Sequence, residues 1–230
     1  MIEARGLKKV YPDGTQALRG LDLRVADGEM LFIRGRSGAG KTTLFRLLVG
    51  MESPTEGSLG VSGVDMGGDD HRALWQLRRR MGVIFQDFRL IKGRTARENV
   101  EMGMRVLGIT GNEMRNRAEE FLERLDLTHR LATPVESLSW GERQRVAAAR
   151  ALCRGPSIVL ADEPTGNLDE DLSRRVMDLL HEANARGATV LVATHAADVL
   201  ARNNHRTITI SRGSIVADTP ATGGRGGEDA

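Results

Sequence analysis

Two short clusters hold the residue types best suited to chemistry. The first is Gly35-Arg36-Ser37-Gly38-Ala39-Gly40-Lys41-Thr42, followed by Thr43, and it fits the spacing G-x-x-x-x-G-K-[ST]. Glycines at such spacing let successive backbone N–H groups turn toward phosphate oxygens, and a following helix adds its positive end. Lys41 is then placed to reach the terminal phosphates, and the Thr42 hydroxyl to ligate Mg2+. The second cluster is Asp162-Glu163, after the apolar run Ile158-Val159-Leu160-Ala161. One acid of such a pair suits a metal ion held through water; the other suits orienting and partly deprotonating an attacking water. Each cluster has a plainer reading, as a Gly-rich turn with a solvated lysine and as a strand-end acid pair in solvent. An apolar run precedes the glycines and an apolar helical pattern follows them, which favours the phosphate reading.

These groups need elements to hold them. Leu31-Phe32-Ile33, Val83-Ile84-Phe85, Ile158–Ala161 and Val190-Leu191-Val192-Ala193 are short, apolar throughout and rich in β-branched residues. They read as strands buried on both faces, as in a parallel sheet whose carboxyl ends gather functional groups on one side. Met114, Ala118, Phe121, Leu122 and Leu125 share one helical face, as do Leu172, Val176, Leu179, Leu180 and Ala183. Strand and helix in alternation predict an α/β fold with right-handed crossovers. Residues 1–30 read instead as antiparallel strands joined at Pro12-Asp13-Gly14, and residues 88–153 as an inserted helical subdomain. The expected organisation is one domain over 2–218 and a disordered Gly- and acid-rich tail over 219–230.

Composition narrows the classes. The chain has 230 residues, 33 basic against 31 acidic, a formal charge of +2, 40% apolar and 28% charged content. That is ordinary globular composition and argues against both a disordered chain and a protein that coats nucleic acid through bulk positive charge. Arg78-Arg79-Arg80 is the one basic run and reads as a solvated helix end. The single cysteine, Cys153, fits a reducing compartment, and neither it nor the five histidines show zinc-ligand spacing. No leader and no membrane-spanning stretch is evident, so action at a membrane would need a second chain to cross it.

After the acid pair come Pro164-Thr165-Gly166-Asn167-Leu168-Asp169, and here the sequence resembles the ATP-binding subunits of ABC systems. The resemblance covers residues 2 to about 216 and carries the family's motifs in order. It implies a P-loop NTPase fold with a mainly parallel core sheet, an N-terminal antiparallel β-subdomain and the inserted helical subdomain. It implies ATP and Mg2+ as ligands, with Gly35 to Thr43 around the phosphates and Thr42, Gln86 and Asp162 toward the metal. Tyr11 matches the aromatic that stacks on adenine, Gln86 the glutamine linking γ-phosphate and Mg2+ to the helical subdomain, and Asp169 the aspartate following the acid pair. Glu163 matches the catalytic base and His195 the histidine that contacts the γ-phosphate. Leu138-Ser139-Trp140-Gly141-Glu142 matches the signature segment, whose Ser139 and Gly141 would face nucleotide on a second copy of the chain in a head-to-tail homodimer. Trp140 stands where the family usually has glycine, and Ala196 where an aspartate is common.

Each match also has a plain structural reading. Tyr11 would cover a sheet edge, Gln86 and His195 would end strands, and Asp169 would cap a helix. Ser139-x-x-Glu142 and Thr95-x-x-Glu98 both spell capping boxes. Within the family the chain resembles the cell-division branch through residues 35–41 and Val83 to Ile91. Glu142 to Val146 fits the lipoprotein-releasing and macrolide-export branches equally. The resemblance implies an FtsX-like integral membrane partner docking around Phe88 to Glu98, and a peripheral position on the cytoplasmic side of the inner membrane. A transport ATPase and a soluble ATPase acting on nucleic acid or the ribosome are the competing readings; direct nucleic-acid contact is not expected.

Overall fold

The computed structural model describes residues 1–201 and 204–221. In chain order the strands and helices are β1 (Ile2–Val10), β2 (Gln16–Val25), β3 (Met30–Arg34), α1 (Lys41–Leu48), β4 (Glu56–Val61), β5 (Val64–Asp65), α2 (His71–Arg79) and β6 (Met81–Ile84). There follow α3 (Ala96–Arg105), α4 (Gly111–Arg124), α5 (Trp140–Leu152), β7 (Ile158–Asp162), α6 (Glu170–Ala185), β8 (Thr189–Thr194), α7 (Ala197–Ala201), β9 (Arg206–Ser211) and β10 (Ser214–Thr219). Two compact units result, one made of Met1–Val25, Met30–Gly67 and the described residues from Leu191 onward, the other of Ala26–Glu29 and Gly68–Val190.

The first unit contains an antiparallel sheet in the order β2-β1-β4-β5. The turn at Pro12-Asp13-Gly14 joins its first two strands, closed by Tyr11 N–H donating to the Thr15 carbonyl at 2.9 Å. A second set of strands in this unit runs β10-β9-β3-β8, with β3 parallel to β9 and β9 antiparallel to β10. Leu31, Phe32 and Ile33 of β3 are fully buried, as are Leu44, Leu47 and Leu48 of α1. Apolar side chains therefore fix both the strand entering the glycine-rich loop and the helix leaving it.

The second unit pairs β6 and β7 in parallel, Met81 opposite Ile158 through Ile84 opposite Ala161. Phe85, expected to extend β6, lies beyond it, because the chain turns at once and Phe88 N–H donates to the Phe85 carbonyl at 3.0 Å. Three helices, α3, α4 and α5, occupy the stretch expected to be helical, and they belong to a unit that also holds α2, α6 and these strands. Both capping boxes form: Thr95 and Glu98 open α3, and Ser139 and Glu142 open α5. Val146 to Ala149 of α5 are completely buried, so this small-residue helix lies in the centre of its unit. The Arg78-Arg79-Arg80 run is the end of α2, with Arg80 as its C-cap. The expected tail over 219–230 lies outside the described residues from 222 onward, and Thr219 is the last residue of β10.

Candidate active site

In the first unit the chain leaves β3 at Arg34, passes through the glycine-rich loop and enters α1 at Lys41. Two of its glycines are obligatory. At Gly35 a Cβ would lie 2.6 Å from the Ile210 carbonyl oxygen, and Gly40 takes φ +112° with the Ala17 carbonyl 2.7 Å from where a Cβ would stand. Gly40 is the N-cap of α1 and supplies no side-chain hydrogen bond, so the first-turn N–H groups keep their positive end toward the loop. Lys41 is buried and its Nζ donates to the Gly35 carbonyl at 2.6 Å, which holds the ammonium against the inner face of the loop. Tyr11 Oη lies 3.3 Å from Thr43 Oγ1, and Lys9 Nζ sits 5.4 Å from the centroid of its half-buried ring. His195 follows β8, is exposed, and lines a cavity of ≈640 Å³ together with Arg34 to Ala39. The cavity brings Gly35, Arg36, Ser37, Gly38, Ala39 and His195 together. It adds Arg34, Arg212 and the stretch Thr209–Ser211, which no sequence motif marks.

In the second unit β7 ends at Asp162, which is 2% exposed, and Glu163 follows with φ +51°. A positive φ costs an L-residue about 1 kcal/mol or more, so surrounding contacts must hold it. They do: the Glu163 carbonyl accepts from Gln144 Nε2 at 2.7 Å and from Gly166 N–H at 3.2 Å. Asp169 is exposed and caps α6, its Oδ1 accepting from Leu172 N–H at 2.8 Å. Gln86 is exposed on the turn after β6. Beyond it Phe88 and Arg89 take φ of +58° and +48°, and their carbonyls each accept from one terminal nitrogen of the Arg150 guanidinium at 2.6 Å.

The signature segment opens α5. Ser139 Oγ accepts from Glu142 N–H at 3.3 Å while Glu142 Oε2 accepts from Ser139 N–H at 2.7 Å. Burial raises the Glu142 pKa, but the Ser139 N–H and Arg130 Nε at 2.7 Å outweigh it and hold the carboxyl below its usual range. Trp140 is half exposed and meets Phe88 edge-on, centroids 4.5 Å apart at 68°. Gln144, the link from α5 to Glu163, is the functional candidate that motif reading misses. Its signal is a polar residue on the helical face of Trp140, Gly141, Ala147 and Ala148, and its partner is visible only in three dimensions.

The candidate metal donors are the Thr42 hydroxyl in the first unit, and the Asp162 carboxylate and Gln86 amide in the second. All offer oxygen, as a hard cation requires, and among the described residues no group of three or more His, Cys, Asp or Glu forms a cage. Each is an oxygen donor of the kind Mg2+ takes, an ion typically held by one or two protein oxygens plus phosphates and water.

With this geometry in view, comparison with known proteins is specific. The ABC transporter family profile matches residues 18–166. The chain is 40% identical over 218 residues to the cell division ATP-binding protein FtsE of Streptococcus pneumoniae serotype 2 (strain D39), covering 95% of each chain. It is 40% identical over 215 residues to FtsE of Escherichia coli K12, covering 94% of this chain and 97% of that one. A dimeric ATP-binding cassette, MJ0796, solved in a post-hydrolysis state bound to ADP and Pi, superimposes with a TM-score of 0.90 at 35% identity, covering 97% of this chain and all of that one. The chain therefore belongs to the ABC transporter family, as an ATP-binding, ATP-hydrolysing subunit. It is similar over nearly its whole length to the FtsE proteins of cell division.

Proposed function

We propose that the chain powers a membrane machine of bacterial cell division, driving an FtsX-like integral membrane protein and thereby controlling cell-wall hydrolysis. The observation that carries this reading is the 40% identity to FtsE proteins across 95% of the chain. In the proposed cycle, backbone N–H groups of Gly38 to Thr42 bind the triphosphate, Lys41 neutralises its terminal oxygens and Tyr11 stacks on adenine. Thr42, Asp162 and Gln86 are the residues that would hold Mg2+, which when bound would offset charge on the phosphate oxygens. Glu163 orients a water and takes its proton as the water oxygen attacks the γ-phosphorus; ADP leaves with its bridging oxygen and inorganic phosphate is formed. His195 contacts the γ-phosphate, and Asp169 completes the loop after the acid pair. Ser139 and Gly141 present the capped start of α5 to nucleotide bound on a second copy, so ATP binding closes a homodimer and hydrolysis releases it.

For the membrane partner, the second unit offers a groove of ≈530 Å³ whose apolar lining includes Phe85, Ile91 and Val106. Four arginines also line it, Arg78, Arg105, Arg150 and Arg154, and no acidic residue does. A helix with an apolar stripe and acidic flanks fits this lining. Of the expected docking segment 88–98, Ile91 is the residue that reaches it. Among the described residues no helix is long and apolar enough to span a membrane, so the proposed position on the cytoplasmic face depends on that partner.

A solute-transport ATPase is the second reading, favoured by 37% identity to the methionine import ATP-binding protein MetN of Brucella abortus, of which the chain covers 60%. Purifying the tagged chain from detergent-solubilised membranes and identifying the bound integral protein tests both. An FtsX-like protein is expected; a transporter permease would overturn the cell-division reading.

A further inference from the structure

Gln144 lies on α5, five residues past Ser139, and is 2% exposed. A buried primary amide needs hydrogen-bond partners, and its Nε2 spends a donor on the Glu163 backbone carbonyl at 2.7 Å. That carbonyl belongs to a residue held at φ +51°, where an L-amino acid relaxes unless contacts prevent it. Relaxation would rotate the peptide and swing the carboxylate, and an ångström at a reacting group is enough to cost turnover. The same helix is capped by Ser139 and carries Gly141 in its first turn, so the bond joins the signature segment to the residue after β7 within one chain.

We propose that Gln144 is a positioning residue for hydrolysis: it fixes the backbone of Glu163 and so ties the signature helix, which serves one ATP, to the carboxylate that serves another. This rests on the reading of Glu163 as the base. A merely space-filling Gln144 would affect folding; a positioning Gln144 affects turnover through Glu163.

The test is ATP hydrolysis and equilibrium ATP binding by the purified chain carrying Gln144→Met, which keeps length and removes the donor. The expected result is a kcat lower by about tenfold, with KM and binding within about twofold. In a Glu163→Gln background the same change should alter residual single-turnover hydrolysis by less than about twofold, because the group it positions is already disabled. Gln144→Glu supplies a donor only while protonated, so its rate relative to the unsubstituted chain should fall as pH rises from about 6 to about 9; burial brings this titration toward neutrality. Should Gln144→Met fail to fold, that pH profile decides alone. Wild-type turnover in Gln144→Met, a loss confined to KM, an undiminished loss in the Glu163→Gln background, or a flat Gln144→Glu profile would each overturn the proposal. If Glu163→Gln alone hydrolyses at the wild-type rate, it is the base reading that fails. If Glu163→Gln is inactive and Gln144→Met is silent, the positioning role fails by itself.

Discussion

A single methyl group at Gly40 should break the phosphate loop. At φ +112° an alanine Cβ would come 2.7 Å from the Ala17 carbonyl oxygen and 2.9 Å from Leu18 Cδ2. The leucine methyl can swing aside. The carbonyl is main chain of β2, set between Gln16 and Leu18, which pair with Val10 and Lys9 of β1, so it can give way only by shifting the strand. The positive φ costs about 1–2 kcal/mol for an L-residue, and overfilling a packed site adds about 1–3 kcal/mol. Gly40→Ala should therefore lose about 2–5 kcal/mol, or roughly 4–20 °C in Tm for a chain of this size. Gly63 is the control: φ is +81° with no atom within 4 Å, so Gly63→Ala pays for conformation alone, about 1–2 kcal/mol. Because Gly40 also caps α1, any displacement misaims the N–H groups of the loop, and ATP affinity should fall at least about tenfold, equivalent to about 1.4 kcal/mol. Thermal unfolding and titration with a fluorescent ATP analogue measure the two effects. Equal Tm losses at Gly40 and Gly63, or unchanged ATP affinity in Gly40→Ala, would refute the argument from close approach.

Glu163→Gln should keep ATP affinity while lowering turnover by at least about 10²-fold, as loss of a positioned base requires; comparing binding with steady-state hydrolysis checks it. Cys153 is buried, and burial pushes its thiol up to about 12. At pH 8 only about 10⁻⁴ of it is thiolate, so a thiol reagent should label one group per chain in guanidinium and essentially none in the native state. Glu142, held below its usual range, stabilises the folded chain above the unfolded carboxyl value of about 4.3, and that contribution disappears as pH falls through the lower folded value. Tm measured from about pH 6 to 3 should accordingly fall less in Glu142→Gln than in the unsubstituted chain.

What could be read from the sequence was what local rules determine. The strand–loop–helix around Lys41, the two capping boxes and the all-apolar runs of β3, β7 and β8 need only neighbouring residues to declare themselves. The C-terminal hairpin does not. Its turn is Arg212-Gly213, with φ +48° and +80°, where an asparagine would have signalled the left-handed first position. The Ser62-Gly63 turn between β4 and β5 hides for the same reason, at +48° and +81°. Glu163 was legible as an acid after a strand, but its strained backbone was not, because the contact holding it comes from Gln144, 19 positions away. Trp140 likewise declared itself as a departure from the family pattern, whereas its contact with Phe88 depends on two segments meeting in space.

The Arg150 grip on the Phe88 and Arg89 carbonyls has a consequence for how that turn can move. Burial lowers the guanidinium only to about 10, so it stays charged at any pH a cell reaches, and a change of pH will not loosen it. A bound helix that shifted the turn would have to drag α5 along or pull two short bonds apart together. The corner after Gln86 thus behaves as a rigid lever rather than a hinge.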